Sequence, residues 1–290
     1  MPHFKLATWP RNRDGNRAVP FPMTVNDPDL EFVRDVPYGP ETARAHLLDI
    51  LKPKNATQSL PVIAHFHGGA WKMFGKHLND CIFLAEAGFC AVSVNYRYSH
   101  EARFPAQIHD AKAAIRWLRA NANYLGIDPN RIGVWGISAG GHLAALLGTT
   151  GDNPTLEGHV GISGFPSNVQ AVVTICAPTN LFDPNWTLVQ DPVREASWEL
   201  LGGTAAEYPE LARLASPALQ VTSTAAPVLI VHGAKDAHVP LSQAQQLCDA
   251  FQRAGVQNRF ELIAQGDHFI NVTHVQLLQR SMLKFFRRVL

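Results

Sequence analysis

Short apolar runs and longer amphipathic stretches alternate along most of this chain. AHLLDIL, PVIAHFHG, CAVSVNYR, RIGVWGIS, VQAVVTICAP, APVLIVHG and RFELIAQG are each bounded by turn formers and rich in β-branched residues. Runs of about four to eight apolar positions without strict alternation are how strands buried on both faces read, and so predict a mostly parallel sheet. Between them lie LNDCIFLAEAG, FPAQIHDAKAAIRWLRANANYLG, AGGHLAALLGT, LSQAQQLCDAFQRAG and NVTHVQLLQRSMLKFFRRVL, which carry helical periodicity. In the second of these, Ile108, Ala111, Ile115 and Leu118 fall on one face. Pro105 suits its first turn and Gly126 its C-terminal cap. Strands alternating with helices predict βαβ crossovers and an α/β fold, a doubly wound sheet of about eight strands with helices on both faces.

Two regions break the rhythm. Residues 1–40 are rich in Pro, Asn, Asp and Arg and are expected to form an irregular arm, leaving 41–290 as one domain. Residues 181–219 are rich in Pro, Trp and acidic residues and read as a cap-like insertion over the top of the sheet, where loops usually shape access to a site.

Composition narrows the function class. A chain of 290 residues with 46% hydrophobic content is long enough for one large core. With 17% charged residues and a formal net charge of +1, nothing favours nucleic acid or an anionic surface as partner. No run reaches the roughly 18 apolar residues of a membrane span. The amino terminus, MPHFKLATWPRNRDG, has no apolar signal core, so a cytoplasmic protein is expected. Cys81, Cys90, Cys176 and Cys248 are scattered without CxxC spacing, so free buried thiols are expected and no metal is called for.

Candidate chemistry begins at Gly136-Ile137-Ser138-Ala139-Gly140, set between a predicted strand and a predicted helix. A lone GxSxG also arises as an ordinary glycine-rich turn. In this context it reads as a sharp strand-to-helix elbow that lifts the Ser138 hydroxyl out of the sheet, with small residues two positions away letting the chains approach. The helix starting near Ala139 would aim its N–H groups and positive dipole end at a developing oxyanion. His142, one turn into that helix, reads as a packing or hydrogen-bonding histidine, because the elbow points Ser138 away from its own helix. His65-Phe66-His67-Gly68-Gly69-Ala70-Trp71 follows a buried strand and matches the HGG-type loop that supplies backbone donors opposite an elbow. Gly69, Ala70 and Ala139 are the expected donors, Gly68 is a further candidate, and His67 is expected to brace the loop.

A serine hydroxyl needs a base, and the base an orienting carboxylate, in the chain order Ser, Asp, His. APVLIVHGAKDAHVP presents Asp236 after a strand, whereas Asp183 and Asp191 lie in the irregular insertion. RFELIAQGDHFIN places His268 after the last strand, with His274 and His238 less naturally placed as the base. Asp267 reads as a turn or cap residue and His232 as structural. Trp71, with Trp186 and Trp198, is a candidate for lining a substrate pocket, packing being the other role open to each.

HFHGGAW, NYRYS, FPAQIHDAKAAIRWLRANA, LGIDPNRIGVWGISAGGHLAALLGTTGD, PVLIVHGAKDAHVPLSQAQQL and GDHF resemble the α/β-hydrolases known as bifunctional feruloyl and acetylxylan esterases, relatives of the hormone-sensitive-lipase-like esterases. The resemblance runs from roughly Val36 to the C-terminus. It implies an α/β-hydrolase fold and a carboxylesterase that takes short-chain acyl or hydroxycinnamoyl esters through an acyl-enzyme. Matched motif by motif, it implies Ser138, Asp236 and His268 as the triad and the Gly69–Ala70 segment as the hole. The implied partner is a small-molecule ester, no cofactor is needed, and a homo-oligomer is left open. Where such relatives often carry Gly-Pro-Thr-Asp, this chain reads CAPTNLFD with Asn180 in the Asp position, so the substrate pocket is expected to differ. HGGAW also fits arylformamidase, an amide hydrolase acting on N-formylkynurenine, which is the alternative reading. A prolyl-oligopeptidase-type peptidase fits less well, since no propeller-sized domain precedes the predicted catalytic one. A non-catalytic receptor on the same fold would be expected to lack a triad residue type, and all three types are present.

Overall fold

The computed structural model describes residues 27–40, 44–183, 186 and 192–290. Its strands are β1 (Leu30–Pro37), β2 (Leu47–Pro53), β3 (Leu60–Phe66), β4 (Cys90–Val94), β5 (Ile127–Ile137), β6 (Ala171–Ile175), β7 (Val228–Gly233) and β8 (Asn258–Ile263). The helices that matter here are α1 (Ile82–Glu86), α2 (Ala106–Ala120), α3 (Ala139–Thr149), α4 (Pro192–Leu201), α5 (Pro209–Leu214), α6 (Leu241–Arg253) and α7 (Val275–Val289). One sheet runs in the order β1-β2-β4-β3-β5-β6-β7-β8. The β1–β2 and β2–β4 pairs are antiparallel and every later pair is parallel. This is the α/β-hydrolase fold.

Each of the seven apolar runs forms a strand, and each helical stretch carries helix. The period of two along the central strands sorts side chains into two cores. Val62, Ala64, Phe66, Val134 and Ile230 face α2, α3 and α6, while Ile63, Trp135, Val173 and Leu229 face α1 and α7. Ile108, Ala111, Ile115 and Leu118 of α2 are fully buried, as their spacing predicts. Gly126 stands in the left-handed conformation that ends the turn Ala122–Leu125.

The irregular arm expected over 1–40 falls largely on residues 1–26, outside the described residues. Within it, Leu30–Pro37 forms the edge strand β1 instead. Its periodicity is hidden by a bulge between Val33 and Val36, where Asp35 takes φ +54°, and by the charges Glu31, Arg34 and Asp35, which suit an edge. The cysteines are unpaired and buried. Among the described residues no helix is long and apolar enough to cross a membrane.

Register brings the strand ends together. Phe66 pairs with Gly136, Ile137 with Ile175, Ile175 with Val231 and Gly233 with Ile263. The segments that follow β3, β5, β6, β7 and β8 therefore leave the sheet along one edge, the carboxyl edge where open α/β sheets place their ligands.

Candidate active site

Ser138 joins β5 directly to α3 and sits at φ +54°, ψ −124°, a conformation L-residues rarely adopt. Its amide donates to the Ile175 carbonyl at 2.8 Å, and its carbonyl accepts from His142 at 2.9 Å, which starts the helix. The elbow closes only because its flanks lack side chains. A Cβ on Gly140 would collide with the Phe66 carbonyl oxygen, and one on Gly136 with the Gly140 backbone. Strain at one serine is thus held by backbone packed on backbone.

The β3 loop lies against this elbow, with Gly68 placed so that a Cβ there would be 3.7 Å from the Ser138 Cβ. Gly69, Ala70 and Trp71 all take positive φ, at 98°, 51° and 56°. That turns the chain back on itself, and the Gly69 carbonyl accepts from both Lys72 and Met73 at 3.0 Å. Among the described residues no backbone carbonyl accepts from the Gly69, Ala70 or Ala139 amides. His67 braces the loop. Its ring is stacked on Tyr96 at 4.3 Å, its Nδ1–H donates to the Gly68 carbonyl at 2.7 Å, and Tyr96 Oη donates to the His67 carbonyl at 2.8 Å. Burial pushes the His67 pKa down to about 3, so the ring is neutral.

Trp71 does not line a pocket. It is 0% exposed, and its indole N–H donates to His142 Nδ1 at 3.2 Å. The left-handed turn before it swings the ring under the loop and into the core. Trp186 is buried as well.

Asp236 follows β7 and His268 follows β8. His268 Nδ1–H donates to Asp236 Oδ2 at 2.8 Å, which leaves Nε2 with its lone pair. The other Asp236 oxygen accepts from the amides of His238 and Val239, each at 2.9 Å. Burial pushes the Asp236 carboxyl up, but the His268 hydrogen bond and charge, the Val239 amide and His232 together hold it below the usual range. No hydrogen bond joins Ser138 Oγ to His268 in this structure, where the His268 bond is to Asp236. Asp183 is engaged elsewhere, by Ser242 and Gln243, and Asp191 lies outside the described residues. His274 pairs with Thr273 Oγ1, His232 Nε2–H donates to the Val239 carbonyl, and Asp267 accepts from the Phe269 amide.

Sequence reasoning expected Cys176 to be a free buried thiol but missed that, just after β6, it lies beside this pair. Its Sγ, an Asp236 oxygen and a His268 ring nitrogen lie within 4.8 Å of one another. Burial holds the Cys176 thiol far above its ordinary pKa, so it stays protonated and is no rival nucleophile. Tyr96 was missed too, since nothing local in NYRYS says that its hydroxyl reaches the β3 loop.

The segment 192–219 is fixed to the same edge. Glu199 accepts from Lys72 Nζ at 3.0 Å and from Ser99 Oγ at 2.9 Å, and the Leu200 carbonyl accepts from the Phe104 amide at 2.9 Å. A cavity of about 590 Å³ opens here, lined by Ser99, His100, Arg103, Trp198 and Glu199. Two exposed aromatic rings lie beside residues of this region. Phe74, 70% exposed, lies beside Gly69, and Phe269, 54% exposed, meets His268 edge-on at 5.5 Å.

Comparison with known proteins shows the family. The model of the BD-FAE family matches residues 48–251. Esterase LipC of Mycobacterium tuberculosis is 34% identical over 225 residues, 74% of this chain and 54% of that protein, so the chain spans about half the length of this relative. Among solved structures, a truncated carbohydrate esterase from gut microbiota superposes with a TM-score of 0.82 at 31% identity, covering 89% of this chain and 95% of the other. Esterase 2 of Thermogutta terrifontis, phosphonylated by sarin, superposes with a TM-score of 0.71 at 25% identity, covering 84% and 87%.

Proposed function

The chain belongs to the BD-FAE family, and from that premise we propose that it is a serine carboxylesterase. The observation that carries the reading is the 2.8 Å His268–Asp236 hydrogen bond on the strand edge where Ser138 stands in its strained turn. In the proposed reaction His268 Nε2 takes the Ser138 proton as Oγ attacks the ester carbonyl. The Gly69, Ala70 and Ala139 amides receive the oxyanion. The alcohol leaves with the proton from His268, and water then releases the acid by the same route. Asp236 keeps the imidazole in the tautomer that accepts at Nε2 and stabilises the cation that forms.

The proposed substrates are short-chain acyl or hydroxycinnamoyl esters. Phe269, exposed against His268, and Phe74, exposed beside Gly69 of the proposed hole, support an aromatic group on the ester. The carbohydrate esterase among the neighbours supports a sugar on the alcohol side. The segment 181–219 is proposed to shape access, with 41–290 as the catalytic domain. The same aromatic rim would suit N-formylkynurenine, which keeps arylformamidase as the second reading. A cytoplasmic location completes the proposal, to be checked by fractionation, and light scattering decides whether the chain self-associates.

A fluorophosphonate probe should label the wild-type protein at Ser138 and leave Ser138→Ala unlabelled. On p-nitrophenyl acetate the same variant should lose about 10⁴-fold or more in kcat. Full activity in Ser138→Ala would overturn the reading. A panel of acetyl to octanoyl esters, methyl ferulate and N-formylkynurenine then separates ester from formamide chemistry.

A further inference from the structure

The proposed hole depends on a loop whose backbone is unfavourable, since Ala70 and Trp71 both hold left-handed conformations without being glycine. Such a conformation persists only when surrounding contacts over-determine it. At the ends of the loop those contacts are backbone hydrogen bonds, Lys72 and Met73 to the Gly69 carbonyl and Ser99 to the Trp71 carbonyl. In the middle, beside the amide that would bind the oxyanion, the hold is a side chain.

His142 is fully buried four residues beyond Ser138 on α3. Burial pushes its pKa down to about 4, so near neutral pH the ring carries one N–H and one lone pair. An indole nitrogen can only donate, so Nδ1 must be the acceptor for Trp71, at 3.2 Å. The remaining Nε2–H donates to the Ala215 carbonyl at 2.7 Å. Both ring nitrogens are used, and the other tautomer would set N–H against N–H on one side and lone pair against carbonyl on the other. The indole and imidazole planes also meet edge to face, with centroids 5.1 Å apart.

We infer that His142 is a positioning residue: it clamps Trp71, and through it the Ala70 amide, into oxyanion-binding geometry, and bolts that loop to the insertion at Ala215. Three elements distant in sequence meet on one imidazole: the loop after β3, the helix carrying the nucleophile, and the segment just beyond α5. The inference rests on the esterase reading for its catalytic consequence, but the clamp itself can be observed without activity.

The test compares wild type with His142→Phe, which keeps an aromatic ring and loses both hydrogen bonds, and His142→Gln, which carries one acceptor and one donor. A misplaced oxyanion donor acts on the transition state and not on substrate binding. On p-nitrophenyl acetate, His142→Phe is expected to lose about 10- to 100-fold in kcat with KM changed by less than about twofold. His142→Gln is expected to recover most of that loss. In ¹⁵N-histidine spectra of the wild-type protein, His142 should show an unprotonated Nδ1 and a protonated Nε2, with the Trp71 indole proton shifted in both variants.

The inference is overturned if His142 shows the other tautomer, or if His142→Phe melts earlier but keeps its kcat. It is overturned equally if His142→Gln loses as much kcat as His142→Phe. Should His142→Phe fail to fold, the tautomer and His142→Gln still decide. A wild-type protein inert to every ester with the expected tautomer would sink the esterase reading and leave the clamp standing.

Discussion

Two turns leave the sheet side by side and are stabilised in different ways. The elbow between β5 and α3 concentrates its strain at Ser138 and is held by its own neighbours, Gly136 and Gly140, packed against the end of β3. The loop after β3 spreads its strain over Gly69, Ala70 and Trp71 and is held by partners far away in sequence: Tyr96, Ser99 and His142. The difference has a physical reason. A nucleophile must be fixed to within a fraction of an ångström, and backbone-on-backbone packing has little freedom to yield. The proposed oxyanion donors sit on a loop, and side-chain braces let a loop differ in shape while the frame stays constant.

The sharpest way to break this contrast is to change one methyl group in each turn. Gly140→Ala would drive a Cβ into the Phe66 and His67 carbonyl oxygens, neither of which can move without shifting β3. It is expected to lose about 4 kcal/mol or more of stability, or to give no soluble protein. The reverse change in the loop, Ala70→Gly, removes a methyl from a left-handed residue. It is expected to change stability by no more than about 1 kcal/mol in either direction. Urea midpoints of the two variants measure both effects, and similar losses would show that the two turns are held alike.

The same contrast explains what could be read from the sequence. The seven strands β2 to β8, the elbow, Asp236 and His268 are all marked within a dozen residues by apolar runs and small residues at turns. The edge strand β1 was hidden because its bulge and its charges erase the period of two. For Trp71 both pocket and packing stayed open, because the pattern HGGAW says that an aromatic side chain follows the hole, but not which way three left-handed residues turn it. The roles of Tyr96, Cys176 and Ala215 depend on contacts between elements that no local pattern records, and no hydrogen bond joins Ser138 Oγ to His268.

Acid should separate the turns next. The elbow, Gly136 to Gly140, contains no titratable group, whereas the loop is braced by two buried neutral histidines whose pKa values burial lowers to about 3 at His67 and about 4 at His142. An unfolded histidine titrates near 6.5, so below that pH the unfolded chain binds protons that the folded chain refuses. Stability is therefore fully present above about pH 7 and falls as pH drops from about 6.5 towards 4. At pH 5 each such histidine should contribute about 2 kcal/mol to the loss. His65 and His232 are shifted down in the same sense and add to the total. In His142→Gln the difference in urea stability between pH 7.5 and pH 5 should shrink by about 2 kcal/mol, and an unchanged difference would mean that His142 is not held neutral.

The mildest probe removes a single oxygen from the brace. Tyr96→Phe keeps the ring that stacks on His67 and deletes the hydroxyl that donates to the His67 carbonyl at 2.8 Å. That carbonyl then loses a buried donor, and the expected loss is about 1–2 kcal/mol of stability. The stacked ring and the His67 Nδ1–H bond remain, so the loop should shift and not collapse. The kcat should fall by less than about tenfold with KM unchanged, because only the aim of the hole is disturbed. If the stability loss appears with no change in kcat, Tyr96 secures the loop's base while the hole is aimed from its other side, by Trp71 on His142. If kcat falls as far as in His142→Phe, the loop moves as one rigid piece, and every distant brace is equally necessary to its geometry.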